Sequence, residues 1–284
     1  MRTFRLTLYG FIMAAILFTP AFAQRFETET NTIDAEGAKR ISVDCEFGAG
    51  SLTIGTEDMA DAAKLTVNYD PRRFDYDIDY RKRGDVGRLD LESHLRKHRD
   101  IDDSKNDWNL VLSTRYPTEL DFEVGAAEAE IDLGGLRLTG ISLEMGAAKG
   151  TIDFSKPNPE RMREMTIEIG ASSLDLLNLG NANFDYLDFS SGAASTTLDF
   201  RGGLHGDVDV SLDIGIGSAD VILPKGMAVR VRGDDGFFSS IDFHGGDLER
   251  ARRGVKETAN FAEASDRLTI DLDVAMGSVD IYWK

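Results

Sequence analysis

The sequence predicts an all-β fold, a solenoid-like stack of short two-strand rungs of the β-helix type. Three observations carry this prediction. Apolar and polar residues alternate along most of the chain, which is the pattern of strands with one buried face. A short motif with a small-residue break recurs at regular spacing. Glycine is frequent, with 28 residues, and proline is scarce, with 6, which suits tight turns between short strands.

The first element is a predicted secretory signal peptide over residues 1–23. Arg2 and Arg5 precede an apolar run from Tyr9 to Phe18, and the small-x-small triplet Ala21–Ala23 follows. The run is shorter than the ~20 apolar residues that a transmembrane helix needs. We therefore expect an exported protein, periplasmic or extracellular or on the cell surface, with no membrane span in the mature chain.

Residues 24–115 form a less regular β region in which basic side chains are dense, with 15 of the 32 Lys and Arg. Phe74–Tyr80 alternates aromatic residues and Ile with Asp, as a strand with two different faces does. Basic residues flank it: Arg72, Arg73, Arg81, Lys82 and Arg83. This patch is a candidate contact surface for a partner. An ordinary core strand with solvated flanks explains the same pattern.

A polar stretch near the end of this region begins like a calcium loop. Asp100, Asp102, Ser104 and Asn106 place oxygen ligands at alternate positions. Lys105 stands where such a loop has its central glycine, and Val111 stands where it has its bidentate glutamate. A solvated loop is therefore the alternative interpretation.

Residues 116–284 form the regular repeat. Each copy is an alternating strand, a small-residue break and a second strand with an apolar-Asp-apolar motif. The copies occupy Phe122–Leu133, Leu143–Phe154, Ile167–Leu176, Phe189–Phe200, Leu212–Val221, Asp235–Phe243 and Leu272–Ile281, with an early copy at Cys45–Ile54. The break glycines recur at spacings of 21, 24, 22, 23 and 21 residues; they are Gly125, Gly146, Gly170, Gly192, Gly215 and Gly236. Such a period is typical of units that bury their edges against one another.

Helical patterns are almost absent. Only Asn158–Met165 and Asp247–Thr258 have the composition of short helices, and we expect an exposed loop at Arg250–Arg253.

The repeated aspartates are weak candidates for a metal site. They are Asp132, Asp153, Asp175, Asp199, Asp220, Asp242 and Asp280. If successive copies stack in parallel register, these carboxylates form one outer ladder with a spacing of ~4.8 Å. Their repulsion is offset by solvent and salt, or by bound divalent cations such as Ca²⁺.

Charge and cysteine content bound the function. The chain has 32 Lys and Arg against 50 Asp and Glu, a net charge of −18, which argues against nucleic-acid binding and against docking on anionic lipids. Cys45 is the only cysteine, so no intramolecular disulfide forms. It shares a strand face with Ile41, Val43 and Phe47, and we expect it to be buried.

Two stretches resemble known bacterial proteins. Phe47–Ile54, followed by Lys64–Asp70 and Phe74–Tyr80, resembles the toast-rack N-terminal domain. The units from Gly125 onward resemble the β-repeats of LiaF-like proteins and of adhesin-type domains. The resemblance implies a toast-rack-type, non-enzymatic β protein of the envelope or surface. LiaF-type proteins carry transmembrane helices before this region, whereas this chain has only the predicted signal peptide.

These observations predict an exported, non-catalytic module for envelope or surface interaction or for stress sensing. The predicted partner is an envelope or surface protein, or a cell-wall or polysaccharide component. No catalytic or cofactor-binding residue is predicted, and Ca²⁺ is the one possible cofactor that the sequence leaves open. A calcium-dependent adhesin is the first alternative, and a β-helix polysaccharide hydrolase or lyase is the second.

Overall fold

The computed structural model describes residues 26–96, 105–233, 236, 238–246 and 248–284. The predicted signal peptide, residues 1–23, lies outside the described residues. Eighteen strands account for most of the described residues. They are β1 (Glu27–Ile33), β2 (Arg40–Glu57), β3 (Ala63–Tyr69), β4 (Phe74–Arg83), β5 (Val86–Leu95), β6 (Asn106–Ser113), β7 (Pro117–Asp132), β8 (Arg137–Met145), β9 (Lys149–Asp153), β10 (Met162–Ile169), β11 (Ser173–Leu177), β12 (Phe184–Asp199), β13 (Asp207–Leu223), β14 (Ala228–Arg232), β15 (Ser239–His244), β16 (Leu248–Arg252), β17 (Val255–Thr258) and β18 (Arg267–Trp283).

The all-β prediction is confirmed. The one helix in the described part of the chain is a 3-10 turn at Leu179–Asn181. Neither of the two possible helices forms: Met162 begins strand β10, and residues 248–258 form the antiparallel hairpin β16–β17. In each case pairing with a neighbouring strand outweighs the weak local helix preference of a charged segment. The loop expected at Arg250–Arg253 is also wrong up to Arg252, where β16 ends. No described helix has the length and apolar character that crossing a bilayer requires.

The centre of the fold is a set of parallel strands, called rungs below, each with a first arm, a small-residue break called the corner, and a second arm; the solenoid form of the fold stays a prediction. In each rung, the two arms form hydrogen bonds with the same neighbouring rungs. The rungs, in order, are β2, β7, β8 with β9, β10 with β11, β12, β13 and β18. Between β7 and β13 the register advances by 21, 24, 22 and 23 residues, as in Val124↔Met145 and Glu144↔Glu168. The inner sides of both arms supply one hydrophobic core.

At the last end of the stack, the order of the strands in space differs from their order along the chain. The copy at Asp235–Phe243 is expected between the last two rungs, but β13 pairs directly with β18, as in Leu212↔Leu272. Strands β14 and β15 lie on the far side of β18 instead. Strand β18 is therefore an interior strand, and β14 and β15 cover its far side.

Antiparallel strands cover both ends of the stack. At the first end β5 and β6 pair in parallel with β2, and then β4 pairs with β5, β3 with β6 and β1 with β3, all antiparallel. Trp108 is buried there, edge-on to Phe47 at 5.4 Å between ring centroids and to Tyr76 at 6.0 Å.

The sequence predicts a boundary between two regions at residues 115 and 116. Strands β2 and β7, which lie on opposite sides of this boundary, pair with each other, and the boundary stays a prediction.

Candidate functional site

The corner of the stack is built on a column of glycines. Five of the six predicted break glycines belong to it, and Gly48 of the early copy joins them. A Cβ built on Gly170 would lie 2.9 Å from the carbonyl oxygen of Gly146, and one on Gly192 would lie 3.1 Å from that of Gly170. Side chains would hold the rungs apart at these positions, which is why the break is glycine. Gly236 faces Ser239 instead and is not part of the column.

Two residues before the first four corner glycines, the outer face carries a row of glutamates. Four of them occupy adjacent rungs in direct register: Glu46, Glu123, Glu144 and Glu168. Glu92 of β5 pairs with Glu46 and extends this glutamate row at its first end. The row continues past Ser190 as Asp213 and Asp273. All four central glutamates are exposed.

The glutamate row concentrates negative charge. Neighbouring strands of a sheet are ~4.8 Å apart, and two carboxylates at that spacing repel by about 1 kcal/mol in water. Among the residues that the structure describes, no Lys or Arg forms an ion pair with Glu46, Glu123, Glu144 or Glu168. Partial burial, followed by the charges of Asp273 and Asp188, raises the pKa of Asp213. The row is therefore an uncompensated anionic surface.

A shallow groove of about 530 Å³ runs along the corner beside the glutamate row. The glutamates and the glycine column form its walls, and Val124, Met145 and Ile169 contribute apolar surface. Carboxylate oxygens accept hydrogen bonds and bind cations, and they have no protons to donate when ionised. The groove is thus suited to cationic groups.

The predicted single aspartate ladder is wrong. Asp132 pairs with Asp153, but Asp175 pairs with Thr151 and Thr197. The cause is the length of the segment after the corner, since the aspartate follows the corner residue by seven positions at Asp132, Asp153 and Asp199 and by five at Asp175, Asp220 and Asp280. Asp242 joins the second row through its pairing with Asp280. The seven aspartates therefore occupy two rows two residues apart.

The row seven residues after the corner serves the fold. Asp132 Oδ1 accepts hydrogen bonds from the Gly134 amide (2.8 Å) and the Ser155 hydroxyl (2.7 Å). Asp199 is 1% exposed, and Arg201 donates to it through its backbone amide (3.0 Å) and its Nε (2.9 Å). Asp153 Oδ1 likewise accepts a hydrogen bond from the side-chain Nδ2 of Asn178 (2.7 Å).

The row five residues after the corner faces outward. Asp220, Asp280 and Asp242 lie in register on three adjacent strands, β13, β18 and β15. Nε2 of His244 lies 2.6 Å from Oδ1 of Asp280. Asp175 belongs to the same row and is separated from Asp220 by Thr197. Within the described ranges, no group of three or more His, Cys, Asp or Glu has the geometry to hold a metal ion.

Of the predicted calcium loop, Asp100, Asp102 and Ser104 lie outside the described residues. Asn106 is buried, and its amide is engaged by the fold. Its Nδ2 donates to the carbonyl oxygen of Ala49 (2.7 Å) and to the Ser93 hydroxyl (3.0 Å), and its Oδ1 accepts from Nε1 of Trp108 (3.1 Å). Calcium binding by this loop stays a prediction.

The aromatic side of Phe74–Tyr80 packs on the first end of the core. Phe74 is buried, and Tyr76 and Tyr80 are partly buried against the core cluster. The Tyr76 hydroxyl donates to Glu29 Oε2 (2.8 Å), and the Tyr80 hydroxyl donates to the carbonyl oxygen of Ala35 (2.8 Å). These contacts agree with the core-strand alternative.

The basic flanks of that strand differ among themselves. Arg72 forms a forked pair with the buried carboxylate of Asp70, through Nε (2.9 Å) and Nη2 (2.8 Å). Arg81 pairs with Asp79. Lys82 and Arg83 are exposed at the turn between β4 and β5.

The glutamate row is the feature that sequence reasoning missed. The motifs contain it openly, as the residue between two apolar residues before each break: C-E-F-G, F-E-V-G, L-E-M-G and I-E-I-G. Counting backward from the glycine aligns these residues, whereas the aspartates after the break cannot be aligned by motif alone. The corner glycine therefore predicts the register between rungs better than the apolar-Asp-apolar motif does.

With this geometry in place, comparison with known proteins identifies the family. The N-terminal domain of toast_rack (DUF2154) matches residues 22–176, more than half of the chain. The chain belongs to this family. The match includes the first four rungs of the stack, so the toast-rack domain extends well into the regular repeat.

Solved structures are similar to this toast-rack protein over most of its length. One, a putative cell adhesion protein from Clostridium sporogenes ATCC 15579, has 17% sequence identity and a TM-score of 0.54, and the alignment covers 91% of this chain and 100% of that one. A putative adhesin from Bacteroides fragilis NCTC 9343 has 10% identity and a TM-score of 0.41, covering 91% and 98%. The first similarity supports the toast-rack fold. No curated protein matches the sequence.

Proposed function

We propose that the mature toast-rack chain is an exported, non-catalytic β-solenoid that acts as an envelope or surface interaction module. The observation that carries this proposal is the glutamate row on adjacent parallel rungs. Strand pairing on both sides fixes the spacing of its backbone, so a partner meets a surface whose backbone needs no ordering on binding. The predicted signal peptide and the adhesin-type resemblance agree with this location.

The charge of the row defines the chemistry of the partner. A surface of adjacent carboxylates attracts Lys- and Arg-rich protein surfaces and amine-bearing polysaccharides, and it repels nucleic acids and anionic lipids. Since rim charges act mainly on association rate and specificity, we expect binding through the row to weaken as ionic strength rises.

The decisive experiment is affinity capture from the native envelope with a charge-neutralised variant. Tagged wild-type protein is compared with the triple variant Glu123→Gln, Glu144→Gln, Glu168→Gln. The matched control neutralises three exposed glutamates outside the row, Glu57→Gln, Glu249→Gln and Glu263→Gln. We expect the row variant to lose partners that the control retains. Equal capture by both variants would remove the row from the proposal.

A calcium-dependent adhesin is the second candidate; the adjacent carboxylates of the row support it, while the described residues contain no preformed metal cluster. Divalent cations between adjacent carboxylates would relieve their repulsion. A hundredfold excess of Ca²⁺ over its Kd would stabilise the fold by about 2.7 kcal/mol. Thermal melts with Ca²⁺, with Mg²⁺ and with EDTA measure this effect, and the row variant should abolish it. Melting temperatures that do not respond to Ca²⁺ count against this candidate.

The polysaccharide hydrolase or lyase ranks third. The matched family and the adhesin neighbours carry no enzyme description. Incubation with envelope polysaccharide, followed by an assay for new reducing ends or unsaturated products, tests this alternative directly. We expect no product.

A further inference from the structure

The corner changes character at one end of the stack. The residue after the corner glycine is small in the earlier rungs, as in Ala49, Ala126 and Ala193. In the last two rungs the same position holds Ile216, which follows Gly215, and Met276, which follows Ala275; the two lie in register. Their exposed fractions are 56% and 47%. Neither residue belongs to the buried core cluster.

Phe238 extends these two residues into an apolar row of three. The backbone amide of Gly277 donates to the carbonyl oxygen of Phe238 (3.0 Å), which places Phe238 beside Met276. Phe238 is 65% exposed. Three of the five exposed large apolar residues in the described ranges thus share one corner. Apolar surface that is clustered and rimmed by polar groups marks interaction sites, whereas scattered exposed residues do not.

Aspartates flank this apolar row on both sides. Asp213 and Asp273, in register, precede it by three residues on the first arms. Asp220 and Asp280, also in register, follow it by four residues on the second arms, and Asp242 lies beside Asp280. The surface therefore combines an apolar centre with anionic edges.

We propose that the apolar row docks a cationic amphipathic segment of a partner protein, one in which Lys or Arg side chains flank apolar ones. This inference rests on the proposed function and names the partner chemistry for one end of the module. The apolar centre supplies burial, and the aspartates select positive charge. A second copy seated face to face would bring aspartates against aspartates, and an anionic membrane would be repelled.

The test uses the full chain, purified after export, and a fluorescein-labelled peptide of alternating Lys and Leu. Fluorescence anisotropy measures its affinity for the wild type and for Ile216→Ser with Met276→Ser. We expect this double variant, whose charge is unchanged, to bind about tenfold or more weakly. The matched control is Leu95→Ser with Tyr186→Ser, which removes two other exposed apolar residues and should keep the wild-type affinity.

A second variant and two further peptides test the charge requirement. Asp213→Asn with Asp273→Asn and Asp220→Asn should weaken binding by a similar factor. Peptides of alternating Glu and Leu, or of Lys and Ser, should bind far more weakly. Equal binding of the Lys–Leu peptide to wild type and to the Ile216→Ser, Met276→Ser variant would overturn the proposal, because attraction would then be purely electrostatic.

Two other occupants are outcomes of the same study. Cosedimentation of the protein with phosphatidylcholine vesicles, lost in the Ile216→Ser, Met276→Ser variant, would overturn the proposal in favour of a membrane. Self-association in sedimentation velocity, lost in that variant, would overturn it in favour of a second copy. If the glutamate-row variant still loses envelope partners while the peptide does not bind, this inference fails and the proposed function stands.

Discussion

Gly277 stacks on Gly217 across two adjacent rungs, and both have a positive φ, +139° and +140°. A Cβ on Gly277 would overlap the carbonyl oxygen of Gly217, and a Cβ on Gly217 would overlap that of Ala194. The atoms that each added Cβ would meet are backbone atoms, which cannot rotate away as a flexible side chain could. The tight corner brings the apolar row and its flanking aspartates onto one surface.

The first prediction concerns this close approach. Gly217→Ala should destabilise the fold by about 2–4 kcal/mol, since it adds both a disfavoured φ and a backbone clash. Gly55→Ala is the control, because its Cβ would meet no atom within 4 Å. Urea denaturation of both variants gives the difference. A cost for Gly217→Ala no larger than for Gly55→Ala would show that the corner relaxes freely.

The second prediction concerns the glutamate row. Glu144→Gln removes the repulsion from two register neighbours, Glu123 and Glu168, and should raise the free energy of unfolding by about 1–2 kcal/mol at low salt. The gain should shrink as added salt screens the row. Glu119→Gln is the control, since its register neighbours Ser42 and Gly140 are uncharged. Stabilisation by the control of the same size would point to a general charge effect.

The repeat could be found in the sequence because glycine leaves a visible mark. Every rung from β7 to β13 needs a residue without a side chain at its corner, and the spacing of those glycines matches the register advance. The buried face follows from alternation, and Cys45 is buried as expected. These features depend on local pattern and near-neighbour stacking.

The ends of the stack and the aspartate rows could not be found in this way. The placement of β18 between β13 and β14 depends on pairing across an insertion, and no local pattern records that choice. The two aspartate rows differ by two residues, which preserves the outward face and leaves the alternation unchanged. Asp199 and Asp220 therefore look alike in sequence and differ in environment.

The third prediction uses that difference. Asp199→Asn should destabilise the fold by about 1–3 kcal/mol, because it weakens the charge-assisted bonds from Arg201 to a buried carboxylate. Asp220→Asn, in the outward row beside Asp280, should leave stability unchanged or raise it. Both variants are measured by thermal and urea unfolding. Equal costs would indicate that the two rows play the same role.

The fourth prediction concerns pH. The pKa of Asp213 is raised in the folded state, first by partial burial and then by Asp273 and Asp188. A raised carboxyl pKa means that the folded state binds its proton more tightly than the unfolded state, so this group costs stability above its folded pKa and the cost disappears as pH falls through it. Asp213→Asn should therefore stabilise the protein more at pH near 7 than near 4. Asp209→Asn, which faces Tyr186 and Thr269, is the control.

The fifth prediction concerns the single thiol. Cys45 is fully buried on the inner face of β2, and burial, reinforced by the charges of Asp44 and Glu46, raises its pKa to about 12. The thiolate is the reactive form, so the folded protein should resist maleimide and iodoacetamide at neutral pH. In urea the same thiol should react at the rate of a free cysteine. The labelling rate, followed by intact mass, thus reports unfolding of the first rung, and rapid labelling of the native protein would mean that β2 opens locally.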